Sequence, residues 1–313
     1  MNKSFAIGID IGGTTTSLGL ADRRGQILMQ ATMPTRGFET VEQYIAAIET
    51  EVKKFEAHAG KDNINGVGVG APNGNFYTGE IVDAPNMPWR GRIQLADMMS
   101  NALGYKVTLT NDANATAMGE MMYGAARGMK DFIMVTLGTG VGSGFVANGQ
   151  LIYGHDGFAG ELGHVIAVRD GRACGCGCNG CMERYCSATG IVITANELLA
   201  QRDGTSLLRN KQDNLSAKVI HDAAMAGDAL AIEIFDYTAM ILGQTLANAV
   251  AITSPQAIIL FGGLAKAGDV LYTPVKKYME ADLLSMYQGK IELLPSALPD
   301  ADAAILGASA LAW

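Results

Sequence analysis

Phe5-Ala6-Ile7-Gly8-Ile9-Asp10-Ile11-Gly12-Gly13-Thr14-Thr15-Thr16-Ser17-Leu18-Gly19-Leu20-Ala21 sets the frame for the chain. The apolar, β-branched run Phe5 to Ile11 reads as a strand, Gly12-Gly13-Thr14-Thr15 as a turn, and Ser17 to Ala21 as the returning strand. A third strand follows from Ile27 to Met33. The same recipe returns at Asp131 to Leu137, where Gly138-Thr139-Gly140 turns the chain into Val141 to Ala147. Two β-turn-β units, each trailed by helices and further strands, predict an α/β protein with a duplicated topology and no close sequence repeat.

The remaining elements follow from periodicity. Val41, Tyr44, Ile45, Ile48, Val52 and Phe55 keep helical spacing over Thr40 to His58. Val67-Gly68-Val69-Gly70 reads as a short buried strand that ends at the turn Ala71-Pro72-Asn73-Gly74. Arg92 to Leu103 reads as helix and Lys106 to Thr110 as strand. Asp228 caps a long helix reaching Ile252, and Ala257 to Phe261 is a buried strand closed by Gly262-Gly263. Ala301 to Leu311 reads as an Ala-rich helix.

The 313 residues leave room for two lobes around separate cores. Apolar content of 49% and charged content of 17% fit a soluble globular protein. Glycine, at 39 residues, far exceeds the usual share of about 7% without a collagen-like period, so the excess belongs to turns and close approaches. A net charge of −8 argues against a nucleic-acid or anionic-membrane surface as the main partner. No apolar run approaches the roughly 20 residues of a membrane span, and the N-terminus lacks a signal-peptide pattern. An odd number of cysteines, five, bunched among glycines suits metal binding in a reducing compartment, hence the cytoplasm.

Both Gly-Thr turns carry chemistry. Backbone amides of Gly12, Gly13, Thr14 and Thr15 can approach phosphate closely, and Asp10 can hold a hydrated Mg²⁺. An ordinary hairpin turn is the plain alternative. Gly138-Thr139-Gly140 offers a second clamp for the same polyphosphate, and Gly262-Gly263 suits a nucleotide packed against backbone or, equally, a plain strand-to-helix turn. Neither Gly-Thr loop contains Lys or Arg and no Gly-Lys-Ser/Thr occurs, which excludes a P-loop. Gly175-Cys176-Gly177-Cys178-Asn179-Gly180 matches a dinucleotide fingerprint formally, but it follows no apolar strand and opens no apolar helix. Asp112, at the end of a strand, is placed for general-base work, unless Asp112 or Asn111 merely caps the following helix.

Four of the five cysteines fall within Cys174 to Cys181, with His164 ten positions upstream and Glu161 and Glu183 bracketing the segment. Thiolates with one imidazole suit a tetrahedral structural zinc. Cys174, Cys176, Cys181 and His164 form one ligand set, and the Cys178/Cys181 C-x-x-C pair anchors a rival one. Cys186 reads as a buried spectator, and His58, His155 and His221 as surface or loop residues. A filled Cys₃His shell leaves both glutamates free for another task.

Together these segments resemble the ROK family of sugar kinases and repressors, which has the actin-like, hexokinase-type ATPase fold. Asp10-x-Gly-Gly-Thr, Leu137-Gly-Thr-Gly and the spacing from Glu161/His164 through Cys174-x-Cys176 to Gly180-Cys181-x-Glu183 carry the likeness, which spans essentially the whole chain. The resemblance implies two lobes around a cleft, each a mixed sheet flanked by helices: 1–110 with 300–313 as the smaller, and 111–299 as the larger, with a zinc-bound loop at 164–181. It implies Asp112 as general base toward a sugar hydroxyl. Asn86, Asn111, Glu161, His164 and Glu183 would hold the sugar, with Gly70 and Pro72 against it from the smaller lobe. It also implies zinc on His164, Cys174, Cys176 and Cys181. Thr15 departs from the Lys or Asn common in relatives, and Gly74 follows Asn73 where Pro-Gly is commoner.

The implied activity is an ATP- and Mg²⁺-dependent hexose kinase acting at the 6-hydroxyl, with glucose first among the acceptors. N-acetylglucosamine, N-acetylmannosamine, mannose, fructose and allose use the same hydroxyl-directed groups. A sugar-sensing repressor is the competing class, but the nine residues before Asp10 leave no room for a helix-turn-helix. A binding protein without catalysis is disfavoured by Asp112 and the paired phosphate loops. Family habit implies a homodimer or homotetramer.

Overall fold

A computed structural model describes residues 3–299 and 302–313. The first half runs β1 (Phe5–Ile11), β2 (Thr15–Asp22), β3 (Ile27–Pro34), α1 (Val41–Ala59), β4 (Ile64–Gly70), β5 (Ile81–Val82), β6 (Arg92–Ile93), α2 (Leu95–Leu103) and β7 (Val107–Thr110). Then come α3 (Asp112–Tyr123), β8 (Phe132–Leu137), β9 (Val141–Ala147), β10 (Gln150–Leu151), α4 (Glu183–Cys186), α5 (Ala188–Gln201), α6 (Ala217–Met225) and α7 (Ala229–Thr253). The chain ends with β11 (Ala257–Phe261), α8 (Asp269–Asp282), β12 (Glu292–Pro295) and α9 (Ala303–Ala310).

One sheet is built twice. The first has the order β3-β2-β1-β4-β7 and the second β10-β9-β8-β11-β12. In each, the hairpin strands are antiparallel and the inner strand then pairs in parallel with the later ones. Asp10 lies opposite Gly70 on the parallel side of the first sheet, and Thr136 opposite Phe261 in the second. Duplicated α/β topology therefore holds, with two mixed sheets flanked by helices.

Helix α3 joins the halves through glycine contacts. A Cβ on Gly119 would stand 2.8 Å from the Gly307 Cα of α9, and one on Gly144 would stand 2.7 Å from the Ala117 side chain. Likewise, α9 lies on the first sheet because Gly8 and Gly68 present no Cβ where its carbonyls pass. Much of the glycine excess thus serves backbone-to-backbone packing, where a methyl group would clash.

Two large apolar cores result, one under β1, β2, β4 and α1, the other around α7 with β8, β11 and α8, with smaller clusters between α3 and β8 and beneath α9. Side-chain caps start the long helices: Thr40 Oγ1 accepts from the Gln43 amide, and Asp228 from that of Ala231.

Several boundaries move. The segment Arg92 to Leu103 is helical only from Leu95; Arg92 and Ile93 pair instead with Val82 and Ile81, while the Glu80 carboxylate binds Arg92 and Gln94. Tertiary pairing overrides local helix propensity there. Strand β4 begins three residues earlier than its apolar run suggests. Helices α4, α5, α6 and α8 add to the elements expected from periodicity. The lobe boundary at 300 and the helix start at Ala301 lie outside the described residues; α9 itself begins at Ala303.

Candidate active site

The dipeptide Asn111-Asp112 divides its labour at the start of α3. Asn111 Oδ1 accepts the Asn114 amide at 2.7 Å and caps the helix. Asp112 is the first helical residue, its carboxylate held by the Ala113 amide at 2.8 Å. Of the two capping candidates, the neighbour takes the cap and leaves Asp112 facing a cleft of about 440 Å³. Pro72, Asn73 and Asn86 line one side; Gly138, Thr139, Gly140, Glu161 and Glu183 line the other.

Asp10 is the penultimate residue of β1, paired with Gly70. A Cβ on Gly70 would come within 3.6 Å of the Asp112 Cα and 3.8 Å of the Asp10 carboxylate, so the bare glycine lets both acids close in beneath the cleft. Burial, reinforced by the charge of Asp112, pushes the Asp10 carboxyl up to about 7. Asp112 is accessible from the cleft, but a narrow cleft solvates poorly, and burial raises its carboxyl above the usual range. Glu161 is raised too, by burial first; nearby His164 opposes the shift while Asp112 and Glu183 add to it.

The first Gly-Thr loop is pinned from outside. Gly12 N–H donates to the Thr15 carbonyl at 2.9 Å, and the Thr35 amide donates to that of Thr14 at 2.9 Å. Arg36 reaches in from beyond β3, its Nε donating to Gly13 O at 2.8 Å and its Nη2 to Asn86 O at 3.1 Å. One guanidinium thus ties the loop to the Asn86 segment. Thr14 and Thr15 are left exposed at the tip.

In the second loop, Gly138 N–H donates to Gly140 O at 3.0 Å. The start of α5 braces it: the Ala188 amide donates to Gly138 O at 2.8 Å and the Thr189 hydroxyl to Thr139 O at 2.7 Å. Gly262, with φ of +102°, presses on the same loop, since a Cβ there would stand 2.7 Å from the Leu137 carbonyl. Beside Gly263 lies a further cavity of about 300 Å³, lined by Lys218, His221 and Phe235.

His164, Cys174, Cys176 and Cys181 offer ligand atoms all within 4.8 Å of one another. Cys174 Sγ lies 3.7 Å from His164 Nδ1, and Cys176 Sγ lies 3.5 Å from Cys181 Sγ. Tetrahedral zinc with bonds of about 2.0–2.3 Å separates its ligands by roughly 3.5–3.8 Å, so this donor set fits the metal. Cys178 falls outside the group, and Cys186 is fully buried elsewhere, its thiol on the Thr238 carbonyl at 3.6 Å. Glu183 bridges cluster and cleft: Oε1 accepts from Cys174 Sγ at 3.2 Å, and Oε2 lies 3.4 Å from the Val141 amide.

The sequence model of the ROK family matches residues 6–313. This chain belongs to the ROK family. It is 36% identical to a glucokinase of Halalkalibacterium halodurans, covering 98% of this chain and 94% of that one. Against a glucokinase of Thermotoga maritima it is 35% identical, covering 99% and 98%. The solved structure of a ROK family glucokinase from Streptomyces griseus, in complex with glucose and AMPPNP, aligns with a TM-score of 0.77 and 32% identity over 98% of each chain. These neighbours share the actin-like, hexokinase-type ATPase fold.

In this ROK chain, Pro72, Asn86, Asn111, Asp112, Glu161 and Glu183 meet in one cleft, as do Gly138, Thr139 and Gly140. Gly70 lies buried beneath that cleft, and His164 sits at the cysteine cluster. Four further residues at the cleft have no site role assigned from the sequence. Asn73 lines the cleft with a left-handed backbone, φ 52°, its side chain on the Val82 carbonyl. Thr136 and Ser143 also line the cleft, and Arg36 braces it from outside. Of these, Asn73 alone carried a local signal, its turn; Arg36 is 23 positions from its partner Gly13.

Proposed function

We propose that this ATP-dependent sugar kinase transfers the γ-phosphoryl group to the 6-hydroxyl of a hexose, glucose first, with Asp112 as general base. The carrying observation is the Asp112 carboxylate, uncommitted to the helix cap, between the Gly138 loop and the Pro72/Asn86 wall. A hexose on Asn86, Asn111, Glu161 and Glu183 would bring its 6-hydroxyl to Asp112, which takes the proton as the new O–P bond forms and the bond to ADP breaks. Carboxylates and amides around several hydroxyls give discrimination, because a missing hydroxyl strands a buried polar group.

ATP would lie along Gly12 to Thr15, Gly138 to Gly140 and Gly262-Gly263, its nucleoside end in the cavity beside Gly263. Asp10 would hold the Mg²⁺ that accompanies ATP through water, and that ion neutralises polyphosphate charge. His164 Nδ1 and the three cysteine thiolates would hold a structural zinc. The loop 164–181 would thereby fix Glu161 and Glu183, and the free Nε2 of His164 is left for the sugar. The lobes that close are residues 1–110 with 300–313 and residues 111–299; α9 packed on the first sheet supports that division. No helix among the described residues is long and apolar enough to cross a membrane. We place the protein in the cytoplasm, where its free cysteines stay reduced, as a homodimer or homotetramer.

Purified protein with Mg²⁺, ATP and a hexose panel tests the reading. ADP and a hexose 6-phosphate are expected, with the highest kcat/KM on glucose. Absence of hexose-stimulated ADP release across the panel sinks the kinase assignment; a higher kcat/KM on an N-acetylated hexose, mannose, fructose or allose replaces glucose only.

A further inference from the structure

The two loops that carry the cleft walls also grip each other outside it. One leaves Pro72-Asn73 and continues into Asn75, Phe76 and Tyr77; the other runs from Tyr153 through Asp156 toward Glu161. The Phe76 ring stacks on Tyr153 with centroids 4.0 Å apart and planes 5° from parallel. Tyr77 meets Tyr153 edge-on at 6.0 Å, and its hydroxyl donates to the Gly154 carbonyl at 3.0 Å. Buried Asn75 holds its own loop, Oδ1 accepting the Tyr77 and Thr78 amides at 3.0 and 3.1 Å, while Nδ2 crosses to the Asp156 carbonyl at 2.6 Å.

This grip continues toward the reacting groups. A Cβ on Gly74 would stand 2.5 Å from the Thr110 carbonyl, so the loop lies directly on the strand end two residues before Asp112. The Tyr153 phenol is also partnered by the Thr110 hydroxyl. Each loop thus presents a cleft residue at one end and an interloop contact at the other.

We propose that Phe76, Tyr77 and Tyr153 are positioning residues that latch the cleft shut around the hexose, holding it against Asp112 and keeping water from the phosphoryl group. This inference rests on the hexose kinase reading of the cleft. Tyr153 packs on the apolar cluster of α3 and β8, whereas Phe76 and Tyr77 are 37% and 59% exposed, so their rings can lift off Tyr153 without opening a core. Of these contacts, the aromatic stack and the Tyr77 hydrogen bond together bias an open–closed equilibrium by roughly tenfold, enough to favour closure and weak enough to release product every turnover.

Phe76→Ala and Tyr77→Phe test the latch, the second removing only a hydroxyl. For Phe76→Ala the hexose KM should rise roughly tenfold while kcat changes less than about twofold, and hexose-independent ATP hydrolysis should increase. Tyr77→Phe should move the same quantities in the same direction by less, and Phe76→Tyr should keep wild-type values. Folded variants with wild-type hexose KM and wild-type background hydrolysis overturn the latch. If the wild-type protein shows no hexose-stimulated ADP release, the kinase reading has failed instead. Hexose Kd from Trp89 and Trp313 fluorescence then judges the latch alone: weaker binding in Phe76→Ala upholds it and unchanged binding overturns it.

Discussion

Asp10 and Asp112 approach each other across the bare backbone of Gly70, and the charge of Asp112 adds to the cost that burial sets on ionising Asp10. One acid is the penultimate residue of the first strand of the chain, and the other opens the helix that joins its halves. Their closeness makes the cleft floor electrostatically unstable until a cation or a proton relieves it.

Stability should report that tension. The Asp10 carboxyl is raised from 3.8 to about 7, so the fold favours the protonated form. Its stabilising contribution is complete below about pH 4 and is lost as pH rises through about 7. Asp10→Asn should therefore stabilise ligand-free protein at pH 8 by about 1–2 kcal/mol after allowing for solvent screening, seen as a higher melting temperature, and change stability little at pH 4. Calorimetry at both pH values without Mg²⁺ measures this; equal effects at the two would contradict the pair.

Removing the base separates binding from chemistry. Asp112→Asn should lower kcat by roughly 10²–10⁴-fold while hexose Kd, read by tryptophan fluorescence, changes little. The acid limb of the wild-type kcat/KM profile should lie above the ordinary carboxylate range, because burial raises Asp112, and activity should climb as pH passes through it. Near-normal turnover in Asp112→Asn would remove this residue from the proton transfer.

Metal content can be assayed without turnover. About one zinc per chain is expected in freshly purified protein, with loss of metal and a lower melting temperature in Cys176→Ser. Cys178→Ser should keep both, since Cys178 stands outside the ligand group. Metal-free wild-type protein of full stability is the outcome that excludes a structural zinc.

Gly262→Ala tests how the glycine pair supports the second loop. An added methyl would stand 2.7 Å from the Leu137 carbonyl at a φ of +102°, costing about 1–3 kcal/mol of strain. The KM for ATP should rise several-fold, with hexose binding retained. Gly263→Ala, with nothing within 4 Å of its Cβ position, should leave the stability of ligand-free protein unchanged and so isolates the strain at Gly262.

Much of this was legible because its signals are local. Strand periodicity, the Gly-Thr turns and the Asp228 cap each lie within a few residues of their effect. The four-helix addition α4, α5, α6 and α8 was less so, since α4 is one short turn and Pro274 interrupts the pattern of α8. The Arg92 segment misled because its partner Val82 and its carboxylate Glu80 are ten or more positions away.

The sequence by itself determined the doubled β-turn-β plan, the Cys₃His spacing and the set of acids and glycines available for chemistry, since covalent order brings those groups together. Only the tertiary structure decided which of these groups meet. Gly70 lets Asp10 approach Asp112, and Arg36 ties the first loop to Asn86. The physical reason is range: hydrogen-bond caps and turns act over three or four residues, whereas charge coupling and steric clearance depend on distances that only packing sets.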